Sequence, residues 1–115
     1  MNVVLLTRAV VKAEAIASFR EQALLRADEV RKEPFCVSIE LYQEPEQPEK
    51  FTLYEIWSDK EYLFSESHQT APHMKRFFFN TREMLAKSFQ MQTLNAIGSG
   101  FGNRLDLRRM FSRAV

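Results

Sequence analysis

A chain of 115 residues can bury one hydrophobic core and is too short for two. With 45% hydrophobic and 27% charged residues it is neither a disordered nor a membrane-embedded polymer, and a net charge of +1 provides no field to attract nucleic acid or anionic lipid. The single Cys36 excludes an internal disulfide and suits a reducing compartment, so the expectation is a cytoplasmic protein.

Residues 3–11 (VVLLTRAVV) are β-branched and apolar, the pattern of a strand buried on both faces. Arg8 and Lys12 leave that stretch too short for a signal sequence or a membrane span. Residues 13–32 switch to helical spacing. Ile16, Phe19, Ala23, Ala27 and Val30 form the apolar stripe, and Arg20, Glu21, Arg26, Asp28, Arg31 and Lys32 are assigned to water. No Ser, Thr, Asp or Asn caps the start of this helix, and Glu33-Pro34 ends it, because a residue before proline is pushed out of the α region.

Residues 35–43 and 51–58 alternate with period two, and the intervening EPEQPEK is a solvated hairpin loop. Asp59 is positioned to cap a second helix, a break follows at Gln69–Pro72, and a longer helix is predicted from about Pro72 to Lys87. Residues 89–97 complete the pattern as a last strand. The order β-α-β-β-α-β is that of an α+β ferredoxin-like fold, with helices on one face of an antiparallel sheet. The predicted domain spans residues 2–97. The tail, 98–115, carries Arg104, Arg108, Arg109 and Arg113 between apolar residues and reads as an arm packing on a second subunit.

The bare face of the sheet is itself apolar. Val3, Leu5 and Ala9 alternate with Val4, Leu6 and Val10 on the first strand, and Phe51, Leu53 and Trp57 alternate with Tyr54 and Ile56 on the third. A contiguous apolar surface of that kind marks an interface or a cavity, and a two-fold homodimer would cover it.

Glu55 lies between Leu53 and Trp57 on one strand face, where a carboxylate needs a partner or a pocket. It is either a proton acceptor or a structural carboxylate. Trp57 is either core or a donor orienting a flat ligand. His68 and His73 are five apart with Pro72 between, a spacing that does not make an i, i+4 metal pair; they serve local turn chemistry or act as acid, base or donor at a pocket mouth. A two-histidine, one-carboxylate iron site with Glu55 has no further ligand pattern behind it, and no metal is expected. Arg8 interrupts an apolar strand and so should meet a buried carboxylate or an anionic ligand. Glu40 and Tyr42 share a strand face as edge residues or pocket lining. Phe77, Phe78 and Phe79 pack in the core, with at least one turned to a partner or a cavity wall.

Phe51-Thr-Leu-Tyr-Glu-Ile-Trp-Ser-Asp59 and His68-Gln-Thr-Ala-Pro-His-Met-Lys75 resemble the "F-x-x-x-E-x-W/Y-x-D" and "H-x-x-T-x-H" segments of the antibiotic biosynthesis monooxygenase domain. Glu33-Pro34-Phe35-Cys36 resembles its "E-x-G-C" lead-in to the second strand, with Phe35 where glycine is usual. The resemblance implies a dimeric ferredoxin-like α/β barrel, whose quinol and anthrone monooxygenase members use dioxygen without metal or flavin cofactor. It also implies one of several chemistries: quinol or anthrone monooxygenation by dioxygen, isomerisation of a phosphorylated quorum signal, or haem degradation. Glu66 and Arg76 stand where the haem-degrading branch has its tryptophan and haem ligand, which argues against haem.

Two enzymatic expectations follow. In a cofactor-independent monooxygenase acting on a quinol-like aromatic, Glu55 or His73 would be the base, His68 a donor, and Trp57 with Phe77 part of the slot. In an isomerase of a small phosphorylated carbonyl compound, Glu55, His73 and Arg8 would serve as base, acid and phosphate cation. A non-catalytic small-molecule-binding dimer is the third reading.

Overall fold

The computed structural model describes residues 2–98. The proposed arm therefore lies almost wholly outside the described residues. Strand β1 (Val3–Val10) is followed by a 3-10 turn at Ala13–Ala15 and helix α1 (Ile16–Val30). Strands β2 (Cys36–Gln43) and β3 (Lys50–Trp57) form the hairpin. Two single-turn helices, α2 (Lys60–Leu63) and α3 (Glu66–Gln69), lead into α4 (Pro72–Thr81), and β4 (Gln90–Asn95) closes the sheet. The strand order is β2-β3-β1-β4 with every pairing antiparallel. This is the ferredoxin-like α+β fold expected from the sequence.

Local chemistry sets the boundaries. No side chain caps the turn that leads into α1 or α1 itself. The Asp59 carboxylate accepts from the Tyr62 amide at 3.0 Å and starts α2. Ser65 interrupts what would have been one longer helix by accepting from the His68 amide at 3.2 Å, which restarts the chain as α3. Pro72 occupies the first turn of α4, where its missing N–H has no consequence.

The predicted extension of α4 to Lys87 is corrected. The helix stops at Thr81, passes through a 3-10 turn at Arg82–Met84, and gives Leu85 up to a bridge with Val11. The Ala86 amide donates to Val10 O at 2.8 Å and the Lys12 amide donates to Met84 O at 2.8 Å. Continuation of the edge of β1 prevails over helix propensity here.

On the helix-covered face, β1 sets Val3, Leu5, Thr7 and Ala9 against Trp57, Glu55, Leu53 and Phe51 of β3. Around Trp57 the core gathers Val3, Ala27, Val30, Ile39, Leu63 and Met74. Around Phe19 it gathers Phe51, Leu53 and Phe77, with the Phe19 and Phe51 rings 4.9 Å apart. The opposite face presents Val4, Leu6 and Val10 beside Tyr54 and Ile56, the apolar surface inferred from the sequence. All six residues of β4 are exposed, Met91 and Leu94 among them. Among the described residues no helix is long and apolar enough to cross a membrane.

Candidate functional site

Two buried polar clusters meet where α1, α3 and α4 cover the sheet. The first is built on β3. Glu55 is 0% exposed, and the alternation that buries Leu53 and Trp57 buries it too. Its Oε2 accepts from Arg26 Nη1 at 3.1 Å, and its Oε1 accepts from Trp57 Nε1 at 2.9 Å. Both oxygens are thus engaged. Arg26 is 6% exposed and lies over the Phe77 ring, 5.3 Å from its centroid. Assigning Arg26 to water is corrected: Ala23, Arg26, Ala27 and Val30 all turn inward, and the carboxylate on β3 supplies the partner that makes burial of the guanidinium tolerable.

The second cluster centres on Glu33, in the turn after α1. Its Oε1 accepts from His68 Nδ1 at 2.6 Å and from the Tyr62 hydroxyl at 2.8 Å, and its Oε2 accepts from His73 Nε2 at 2.8 Å. Burial by itself raises a carboxyl, but the hydrogen bonds from His68, His73 and Tyr62 outweigh it and hold Glu33 below its ordinary value of 4.5. An ionised carboxylate only accepts, so His68 presents Nδ1–H and His73 presents Nε2–H. In the neutral form each ring keeps one lone pair, on Nε2 of His68 and on Nδ1 of His73. Burial, then the bond to Glu33, pushes the Tyr62 hydroxyl up to about 12 and keeps it a donor.

The Trp57 and His68 rings meet edge to face at 4.8 Å, joining the clusters. Burial, then the charges of Glu55 and Glu33, pushes the Cys36 thiol up to about 11, which makes it a poor nucleophile.

Next to these groups lies a small cavity of about 40 Å³, walled by His68, Arg26 and Thr7 together with Leu53, Met74 and Phe77. A larger hollow of about 160 Å³ sits elsewhere, between α1 and the β2–β3 edge near Arg20 and Tyr42, away from both clusters.

The structure therefore brings Glu55, Trp57, His68, His73 and Phe77 together. Arg8 and Tyr42 belong to the alternate register positions, opposite Thr52, on the face turned away from the helices. Arg8 is exposed and makes no ion pair among the described residues; the cation that meets the buried carboxylate is Arg26. The Tyr42 hydroxyl donates to Glu40. Arg26 and Glu33 were missed as site residues. The inward spacing of Arg26 with Ala23, Ala27 and Val30 was the available signal for the first. For the second, only the resemblance of Glu33–Cys36 to a family segment marked it. Among the described residues, no group of three His, Cys, Asp or Glu side chains is arranged to hold a metal ion.

The family model for antibiotic biosynthesis monooxygenase matches residues 2–78. The chain belongs to that family. A solved structure named only as an antibiotic biosynthesis monooxygenase shares 20% identity, covering 84% of this chain and 99% of its own, with a TM-score of 0.76. Rv0793 from Mycobacterium tuberculosis matches at 19% identity over 86% and 98% of the two chains, with a TM-score of 0.77. A conserved protein from Methanosarcina mazei Go1 matches at 27% identity over 83% and 92%, with a TM-score of 0.75. No curated protein matches the chain. In this member of the antibiotic biosynthesis monooxygenase family the helix-covered sheet face carries the paired clusters described above.

Proposed function

We propose that the chain is a cofactor-independent monooxygenase in which Glu33 orients His68 as the general base for an electron-rich phenolic substrate. The observation that carries this reading is the Glu33–His68 pair. The carboxylate holds Nδ1–H, so the free lone pair is on Nε2 of a 1%-exposed imidazole that lines the cavity. His73 shares the same carboxylate as a reserve for the proton. Glu55, occupied by Arg26 and Trp57, positions the site rather than taking a proton.

Loss of the substrate's hydroxyl proton to His68 leaves an anion that can reduce dioxygen. One oxygen atom enters the ring, and the other leaves as water with two hydrogens from the substrate, so the substrate supplies every electron. At about 40 Å³ the cavity has room for a water or a dioxygen molecule, not for an aromatic ring. The ring would sit at its mouth, where Met74 and Phe78 must give way. The working unit is a cytoplasmic homodimer closed over the apolar sheet face, with no nucleic-acid or membrane partner.

The same small volume favours a compact substrate, which supports the second reading, an isomerase of a phosphorylated carbonyl compound. Oxygen uptake separates the two. Purified protein with a menadiol-type quinol should consume oxygen above the buffer rate, and His68→Gln should abolish the excess. A rate equal to buffer refutes the oxygenase for that substrate. Loss in His73→Ala but not in His68→Gln overturns the choice of base.

A further inference from the structure

Arg26 keeps one donor outside its pairing with Glu55. Its Nη1 is committed to Glu55, but its Nε is buried without a hydrogen-bond partner, the one such side-chain atom among the described residues. An unmet buried donor is costly, and in a native protein it calls for a physical cause.

Arg26 borders two hollows, the cavity beside His68 and a groove of about 100 Å³ between α1 and α4. Arg26 and Phe77 line both. The groove adds His73, Arg76, Gln22 and Glu29. Its single carboxylate, Glu29, already pairs with Lys32 at 3.5 Å, and Arg76 is exposed with no ion pair among the described residues. The groove thus has an arginine at its rim, another at its floor and a histidine on its wall.

We propose that the α1–α4 groove binds an oxyanion, the carboxylate or phosphate group of a small ligand, which Arg76 meets first and Arg26 holds through Nε. An arginine fork suits this, because two parallel N–H donors match two oxygens of either group. Nε is enclosed, so the guanidinium must tilt toward the groove to reach the anion, and the two hollows that Arg26 borders give it room. The ligand's charge then lies beside Phe77, next to the His68 cavity. This concerns binding alone and holds whichever reaction follows.

The test uses the full-length protein at low ionic strength, with inorganic phosphate and benzoate as probes and chloride as control, read by NMR at the arginine Nε–H and histidine ring signals. Phosphate or benzoate, but not chloride, should shift the Arg26 Nε–H saturably. The tighter of the two identifies the source as a phosphate ester or a carboxylic acid. Arg26→Lys keeps a cation for Glu55 and loses the fork; followed by the His73 ring signals, it should weaken binding about tenfold or more. Arg76→Gln should weaken it several-fold, and Lys75→Gln, on the same helix outside the groove, should not. No saturable shift in the wild-type protein, or equal affinity in Arg26→Lys and the wild type, overturns the proposal. Failure here leaves the oxygen-uptake assay unaffected, and loss of oxygen uptake in His68→Gln leaves this binding intact.

Discussion

Replacing Glu33 by Gln tests the centre of the site and a large part of the stability together. The carboxylate accepts three hydrogen bonds, from His68, His73 and Tyr62, and its side chain is 7% exposed. Glutamine offers one acceptor oxygen, and its amide directs two hydrogens at groups that are themselves donors. One hydrogen bond to a charged group contributes about 1.5–3 kcal/mol, and the three share one carboxylate, so they do not add. A loss of roughly 3 kcal/mol at pH 7 is expected, a fall in Tm on the order of 10–15 °C for a domain of this size.

The pH dependence is the sharper signature. A carboxyl held below 4.5 in the folded state stabilises fully above that value, and the stabilisation is lost as pH falls through the depressed folded-state pKa. Urea unfolding followed by circular dichroism should therefore show a wide gap between wild type and Glu33→Gln at neutral pH. The gap should narrow below about pH 4.5 and close under strongly acidic conditions. A variant within about 0.5 kcal/mol of wild type at pH 7, or a gap constant across the range, would refute the hydrogen-bonded carboxylate.

Other substitutions probe separate parts of the structure. Arg26→Met should cost about 3–5 kcal/mol by leaving Glu55 charged and alone, while Arg26→Met with Glu55→Leu should recover most of it in denaturant melts. Phe35 holds a positive φ of 71° and packs against Tyr62 with ring centroids 5.3 Å apart. Phe35→Gly should thus be more stable than Phe35→Ala by about 1 kcal/mol, because only glycine relieves the left-handed backbone; the reverse order in thermal melts would contradict the strain. Charging the sheet face turned away from the helices with Ile56→Glu should shift sedimentation from about twice 13.5 kDa to a single chain, and an unchanged mass would remove the proposed dimer.

Much of the fold was legible because its signals are local. Alternation marked the hairpin strands, Asp59 announced a helix, and Pro72 opened one. The long-range pairs were not legible. Arg26 reads as one more charge on a charged helix until Glu55, 29 positions on, is known to lie beneath it. Glu33 reads as a residue before proline, and nothing nearby in sequence shows that two histidines converge on it. Leu85 failed in the opposite sense: it carries on the helical pattern, yet Val11 draws it away.

Glu33 belongs to the first β-α half of the chain, whereas His68 and His73, 35 and 40 positions later, belong to the second. Neither half alone contains the Glu33–His68 pair, so it exists only where the two halves are docked. The clasp that fastens the halves is also what fixes which ring nitrogen of His68 carries the hydrogen. A substitution at Glu33 should therefore disturb the proposed activity and the heat tolerance of the molecule together.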